Sequence, residues 1–166
     1  ALAYNNAAAA GVSTTSTIYG QYRSLVLEDE NSDFIFGNFT GSSIYVISVE
    51  RARYKESLLP GSLNLTIGKA SKTIRLTDNS KDVTLPTYYG TQRAYQIVSG
   101  SNGAAYSGNG YTPASGSYGL FLPDTSTIIL NAAALDDNSA GGGGINLGTV
   151  TTANSAGNNN QRLFNA

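Results

Sequence analysis

Short stretches in which apolar and polar residues alternate constrain this chain more than any other feature of its sequence. Leu63, Leu65 and Ile67 alternate with polar residues, and a similar pattern returns over 73–77 and 83–85. Successive side chains of a β-strand point to opposite faces of its sheet, so a period of two predicts strands with one buried face. Short loops join the three stretches, which predicts an antiparallel meander.

The stretch 43–54 predicts a longer strand of a different kind. Its first half is apolar at nearly every position, which is typical of a central strand covered on both faces, and its charged second half should run into solvent. Further strands are expected within 18–36, on either side of an acidic turn, at 93–99, and in a hairpin over 120–130. No segment shows a sustained period of 3.6 residues. The sequence therefore predicts an all-β fold, an antiparallel β-sandwich or barrel-like body.

Three segments of different composition predict the domain organisation. Residues 1–17 are rich in Ala, Ser, Thr and Asn and predict an extended N-terminal arm, and residues 18–137 form the β-rich structural domain. Residues 138–166 predict a Gly/Asn-rich linker or arm, in which 138–160 is of low complexity with too few apolar residues to fold without a neighbour and 162–164 is expected to start another ordered element. The chain begins with Ala and contains no Met, so we expect either a cleaved N-terminus or a piece of a longer protein whose remainder follows the arm.

The composition excludes most catalytic chemistry. His and Cys are absent, which removes the commonest general base, thiolate nucleophiles, disulfides and most structural zinc sites. Charged residues make up only 13% of the chain and the net charge is −1, so we expect no nucleic-acid partner and no anionic-membrane partner. No apolar run approaches the ~18 residues of a membrane-spanning helix. We expect no cofactor.

Carboxylates remain as candidate catalytic groups, because a glycosidase needs only two of them. Nearly all of the 11 acidic residues lie in predicted turns or at strand ends, where a solvated carboxylate is the simplest explanation. The stretch 29–33 begins like a calcium loop, but Phe34 stands where the turn of an EF-hand needs Gly, and 78–82 carries Lys81 inside the would-be site. Both stretches favour ordinary turns, and we expect that the protein is not an enzyme.

Arg51, Arg53 and Lys55 form a basic group at the end of the long predicted strand. At strand spacing the three side chains project from one face. A patch for nucleic acid or for a phosphorylated glycan is one interpretation, but Glu50 and Glu56 flank the group. A salt-bridged strand end or a contact between subunits is the favoured interpretation.

Three tyrosines, Tyr106, Tyr111 and Tyr118, lie in a long Gly-, Ser- and Asn-rich stretch over 99–119. Tyr offers a large contact area with few torsions to immobilise, and the small residues adapt around it, as in binding loops. The stretch is not a phosphate-binding loop, because no Gly-Lys-Ser/Thr sequence follows it. Two interpretations stay open: the tyrosines contact a glycan or a neighbouring subunit, or they cover an edge of the chain's own core.

Two segments are distinctive in their order of residues: SIYVISVERARYK at 43–55 running into LPGSLNL at 59–65, and GLFLPD at 119–124 running into IILNAAALD at 128–136. They resemble segments of large virion structural proteins of contractile-tailed bacteriophages, particularly phages that infect cyanobacteria. The resemblance implies a particle component of the tail or baseplate that belongs to a longer polypeptide. It implies no active-site residues.

The resemblance and the composition together predict a structural subunit of a bacteriophage particle, located in the virion. Its expected partners are other virion proteins and copies of itself, because Gly/Ser/Thr/Asn-rich β-proteins with extended arms suit assemblies in which arms add strands to neighbours. The alternative is a glycan-binding adhesin or receptor-binding module that contacts a glycan receptor through the tyrosine-rich stretch.

Overall fold

The computed structural model describes residues 2–4, 14–29, 31–37, 39–106, 117–137, 143–150 and 156–166. In chain order the elements are β1 (Leu2–Tyr4), α1 (Thr14–Leu27), β2 (Phe34–Phe36), β3 (Phe39–Gly41), β4 (Ser43–Ser48), a 3₁₀ turn (Arg51–Arg53), β5 (Leu65–Lys69), β6 (Lys72–Asp78), β7 (Thr87–Tyr89), β8 (Gln92–Ser101), β9 (Ala104–Ala105), β10 (Gly119–Leu122), β11 (Thr127–Asn131), α2 (Ala132–Asp136) and α3 (Ala156–Phe164).

Nine of these strands form one antiparallel sheet that curls into a half-barrel. Its order is β1-β4-β11-β10-β8-β6-β5, and the short strands β7 and β9 also pair with β8. Strands β2 and β3 form a separate hairpin. The all-β, antiparallel prediction is confirmed.

The centre of the sheet is buried on both faces, as the apolar sequence of β4 predicted. Ile44 and Val46 pack into one hydrophobic cluster, whereas Tyr45 and Ile47 between them pack into the other. The register that pairs Ile47 with Ile128 and Val46 with Ile129 continues this alternation across β11. Two layers of chain must therefore cover the sheet.

One face carries the N-terminal cover, which we define as α1 together with the β2–β3 hairpin. Tyr19, Val26, Phe34 and Phe36 contribute its buried side chains and pack against the sheet. The centre of the Phe34 ring lies 5.7 Å from the centre of the Tyr19 ring in an edge-to-face arrangement. It lies 6.2 Å from the centre of the Phe36 ring, and these two rings are stacked. The cover is therefore held mainly by large aromatic side chains.

The opposite face carries the C-terminal cover, which we define as α2, residues 143–150 and α3. Leu135, Ile145 and Leu147 are buried in it, beside the small side chains of α2. The backbone amides of Ile145 and Leu147 both donate to the Leu135 carbonyl, at 3.0 and 3.2 Å. The C-terminal residue, Ala166, accepts a hydrogen bond from Gly68 at the edge of β5.

The structure corrects the predicted strand at the start of 18–36, because residues 14–27 form α1. Tyr19, Arg23 and Val26 are its buried residues, and their spacing of four and three places them on one helical face. Within the predicted N-terminal arm, 1–17, Leu2–Tyr4 pairs with β4 and α1 begins at Thr14, while residues 1 and 5–13 lie outside the described residues.

Two further strand predictions are wrong in their extent. The strand predicted over 43–54 ends at Ser48, and a 3₁₀ turn follows it. Residues 83–85 form no strand, and the Leu85 side chain is 77% exposed, while β7 pairs with β8 a few residues later.

The predicted C-terminal arm, 138–166, lies partly outside the described residues. Its described parts differ from a linker, because 143–150 packs on the sheet and 156–164 is helical. Asn159 is fully buried, and its side-chain amide pairs with the backbone of Val150 at 3.0 and 2.6 Å. The buried Asn159 side chain thus connects α3 to the segment 143–150 through hydrogen bonds.

Candidate functional site

The structure places the two described tyrosines of the predicted contact loop, Tyr106 and Tyr118, in different environments. Tyr118 is fully buried and donates a hydrogen bond of 2.6 Å to the Gly143 carbonyl, so it belongs to the core. Tyr106 is 47% exposed beside Ser101 and Arg75, and the hydrogen bond with Ser101 lowers the pKa of its phenol. Tyr111 lies outside the described residues. The described tyrosines therefore do not form one contact surface.

The three basic residues lie on an exposed turn rather than on one face of a strand. The Arg51 guanidinium lies 4.9 Å from the centre of the Tyr54 ring and donates to the Glu56 carbonyl at 3.1 Å. Arg53 pairs with Glu50 at 3.8 Å, and both side chains are about three-quarters exposed. Surface pairs of this kind contribute ~0–1 kcal/mol, so the turn keeps its charges available to a partner.

One end of the sheet brings this basic turn together with the acidic turn that follows α1. We call it the turn end and define it as residues 25, 28, 29, 31–33, 49–59, 90–93 and 123–126. The Val49 amide donates to the Ser126 carbonyl at 2.9 Å, which places the basic turn against the β10–β11 turn.

Gln92 links the other side of the turn end. Its side-chain amide donates to the Leu25 carbonyl at 3.3 Å, and its side-chain oxygen accepts from Thr125 at 3.2 Å. The Glu28 carboxylate lies so close to Gly90 that a side chain at Gly90 would overlap it. The acidic and basic turns therefore flank one continuous surface.

An ion pair between Arg93 and Asp124 lies at the middle of this surface. Arg93 donates from its backbone amide at 3.0 Å and from its guanidinium at 2.5–3.2 Å to both carboxylate oxygens. The guanidinium lowers the pKa of Asp124, and the carboxylate in turn raises the pKa of Arg93. The pair fastens the β10–β11 turn to the start of β8.

The acidic turn is organised by its own hydrogen bonds. Asp29 accepts from the Asn31 amide at 2.8 Å and from the Ser32 hydroxyl at 2.6 Å, and the Ser32 bond lowers the pKa of Asp29. Asp33 faces the buried guanidinium of Arg23 at 3.6 Å. The Asp29 carboxylate is therefore engaged by the described residues of its own turn, Asn31 and Ser32.

The second candidate loop, 78–82, also uses its carboxylates within the fold. Asp78 is buried and accepts from the Gly61 amide at 2.8 Å, while Asp82 accepts from the Ala105 amide at 2.7 Å. These bonds fasten two neighbouring loops. Within the part of the chain that the structure describes, no three His, Cys, Asp or Glu side chains are grouped closely enough to hold a metal ion.

The outer surface of α1 is a candidate contact surface that sequence reasoning missed. Ile18, Gln21, Tyr22 and Leu25 line an open depression of about 420 Å³. A second depression of about 740 Å³ lies beside it and is lined mainly by small and polar residues of α1 together with Asn31. Ile18, Tyr22 and Leu25 are spaced by four and three residues, which is the sequence signal of one apolar face on a helix.

Comparisons with known proteins give no family assignment. The chain matches no protein-family model, and neither curated proteins nor solved structures show a significant similarity to it. Among the described helices, none combines the length and the apolar character needed to cross a membrane. Function must therefore be argued from the residues and their geometry.

Proposed function

We propose that this chain is a structural subunit of a bacteriophage particle and acts through protein–protein contacts. Its partners are other virion proteins and copies of itself. The observation that carries the proposal is the apolar surface on α1, where Leu25, 61% exposed, adjoins the half-buried Ile18 and Tyr22 around an open depression. Scattered exposed apolar residues are ordinary, but a grouped apolar surface around a depression is typical of a protein contact.

The hydrogen bonds of four carboxylates also support a structural role. Asp29, Asp78, Asp82 and Asp124 accept hydrogen bonds from backbone amides and so act as fasteners of loops. A carboxylate that stabilises a turn in this way has a structural role that needs no substrate. We therefore propose that the protein is not an enzyme.

The particle assignment rests on the resemblance of 43–65 and 119–136 to virion proteins, and purified particles test it. Trypsin should release residues 24–51 as one peptide, because Arg23 and Arg51 bound a stretch without Lys or Arg. We expect mass spectrometry to find this peptide in density-purified phage particles. A soluble phage enzyme from the same lysate serves as the control, since it should be lost on purification. Loss of the peptide along with that enzyme would contradict the proposal.

Self-contact is tested separately by the oligomeric state of the chain. We expect analytical ultracentrifugation to show association that increases with protein concentration, and Leu25→Ser to weaken it. Gln161→Ser is the control, because it shortens an exposed polar side chain on α3, away from the depressions beside α1. A protein that stays monomeric over the whole concentration range would contradict self-contact.

Of the two described tyrosines in the predicted contact loop, Tyr106 is the exposed one and is the residue through which the glycan-binding alternative can be tested. A glycan array with the wild-type chain and with Tyr106→Ala distinguishes the two functions. We expect no bound glycan. A glycan that binds the wild-type chain and is lost in Tyr106→Ala would favour the alternative.

A further inference from the structure

The turn end carries opposite charges on its two sides. On the acidic side, Glu28, Asp29 and Asp33 carry exposed carboxylates, and among the described residues the ion pair on this side is that of Asp33 with the buried Arg23 at 3.6 Å. This side therefore has an excess of negative charge at the surface.

The basic side has the opposite excess. Arg51, Arg53 and Lys55 are exposed, and they outnumber the two neighbouring carboxylates, Glu50 and Glu56. Only weak surface contacts hold these side chains, so they can turn toward a partner without breaking buried structure.

An exposed leucine accompanies each charged side. Leu25 belongs to the last turn of α1 next to the acidic turn, and its carbonyl is bonded to Gln92. Leu59 is 72% exposed and follows Leu58, whose amide donates to the Pro123 carbonyl at 3.0 Å. The surface thus begins at Leu25 and the acidic turn. It continues through Gln92 and Thr125 and ends at the basic turn and Leu59.

We propose that two copies of this chain associate through their turn ends about a two-fold axis, with the acidic side of each copy against the basic side of the other. A two-fold interface is self-complementary: if a patch on one copy contacts a different patch on the other, the reverse contact also forms. A surface with opposite charges on its two sides meets this requirement, and the same rotation places Leu25 of one copy near Leu59 of the other. This inference rests on the proposed self-contact and names its surface.

The electrostatic part of this interface has a definite signature. Contacts between exposed charges weaken as salt shortens the Debye length from ~10 Å at 0.1 M to ~3 Å at 1 M. We therefore expect the dissociation constant of the dimer to rise with ionic strength. Charge reversal on one side should oppose association at both contacts of the two-fold interface, since each copy carries the change once and the dimer therefore contains it twice.

Two reversals and their mixture form the test. Glu28→Lys makes the acidic side more basic, and Lys55→Glu makes the basic side more acidic. Each variant alone should self-associate about tenfold more weakly than the wild-type chain at low salt, a loss equal to two exposed charge contacts. An equimolar mixture should recover association, because each reversed side then faces a side of opposite charge.

Lys72→Glu is the control, since Lys72 is an exposed lysine of the β5–β6 hairpin, outside the turn end. Sedimentation velocity gives the dissociation constants, and circular dichroism confirms that all variants fold. Wild-type association that neither reversal changes would overturn the turn-end interface while leaving self-contact at another surface in place. A wild-type chain that is monomeric throughout would overturn both proposals. Weakening in both variants without recovery in the mixture would contradict the proposed pairing of acidic with basic sides.

Discussion

The two covers of the sheet are built in different ways. The N-terminal cover fills its cluster with Tyr19, Phe34 and Phe36, whereas the C-terminal cover fills its cluster with Leu135, Ile145 and Leu147 beside alanines. Polar groups also hold the C-terminal cover, because Lys69 donates to two of its carbonyls and Asp136 accepts from Thr149. The first cover depends mainly on side-chain packing, and the second combines packing with hydrogen bonds to backbone.

The largest expected effect concerns the aromatic packing of the N-terminal cover. Phe34→Ala should lower the free energy of unfolding by about 3–5 kcal/mol, because it leaves a cavity between Tyr19 and Phe36. Urea denaturation followed by circular dichroism measures the change. Ile35→Ala, at an exposed position of the same strand, should change it by no more than ~0.5 kcal/mol. Equal effects in the two variants would contradict aromatic packing as the main source of stability.

The corresponding change in the C-terminal cover is Leu147→Ala. We expect it to lower the free energy of unfolding by about 2–3 kcal/mol, near the lower end for a buried leucine, since a short segment can close partly over the cavity. Hydrogen exchange should show lost protection in 143–150 with little change in β4. Gln161→Ala, an exposed position in α3, is the control. Loss of protection throughout the sheet would show that this cover is not a separable layer.

A matched pair of tyrosines compares the two faces directly. Tyr19 donates to the Gly41 carbonyl at 2.6 Å under the N-terminal cover, and Tyr45 lies 2.8 Å from the Thr149 hydroxyl under the C-terminal one. Tyr19→Phe should lower the free energy of unfolding by about 1–2 kcal/mol because it removes a buried hydrogen bond. Tyr45→Phe should cost less, because the Thr149 hydroxyl can rotate and also bonds to Asp136 at 3.0 Å.

The same pair predicts how stability changes in alkali. Burial raises the pKa of both phenols above the ordinary value of 10.0. The folded state therefore favours the neutral phenol, and this contribution is complete below pH 10 and is lost as the pH rises through the raised pKa values. Unfolding measured between pH 8 and about pH 11 should show a smaller loss of stability in each Phe variant than in the wild-type chain. If the free energy of unfolding changed with pH equally in the Phe variants and the wild-type chain, the buried phenols would not be the cause of the loss.

The smallest expected effect concerns the polar contacts of the C-terminal cover. The Lys69 ammonium donates to the carbonyls of Asn146 and Leu147 at 2.7 and 2.9 Å. Lys69→Met should lower the free energy of unfolding by ~1 kcal/mol, because water can replace these partly exposed bonds. Lys81→Met, at an exposed lysine, should have no measurable effect. A loss as large as that of Leu147→Ala would show that polar contacts dominate this cover.

The sheet could be predicted from the sequence where the apolar pattern was strong. The alternation over 63–67 and 73–77 gave β5 and β6, and the two-sided apolar stretch gave β4 as a central strand. Residues 83–85 alternate as well, but three residues are too few to distinguish a strand from a turn that happens to contain Val and Leu. The hairpin over 120–130 was predictable because Pro123 marks its turn between two apolar strands.

The candidate surface was harder to predict, and α1 shows why. Thr, Ser and Gly in Thr14–Leu27 favour a helix weakly, so local preference gave no clear signal. The helix is stabilised instead by burying Tyr19, Arg23 and Val26 against the β2–β3 hairpin and the sheet. Arg51, Arg53 and Lys55 are close together in the sequence, but the acidic turn is distant from them along the chain, and only the fold brings the two turns to one surface.

The sequence by itself determined the antiparallel sheet, because alternation and two-sided burial are properties of neighbouring residues along one strand. It also determined the chemistry available to the chain, since side chains that are absent cannot act. The tertiary structure alone decided that a weak helix covers one face, that a Gly/Asn-rich segment covers the other, and that acidic and basic turns share one end. These features depend on contacts between residues far apart in the chain, and no local pattern specifies them.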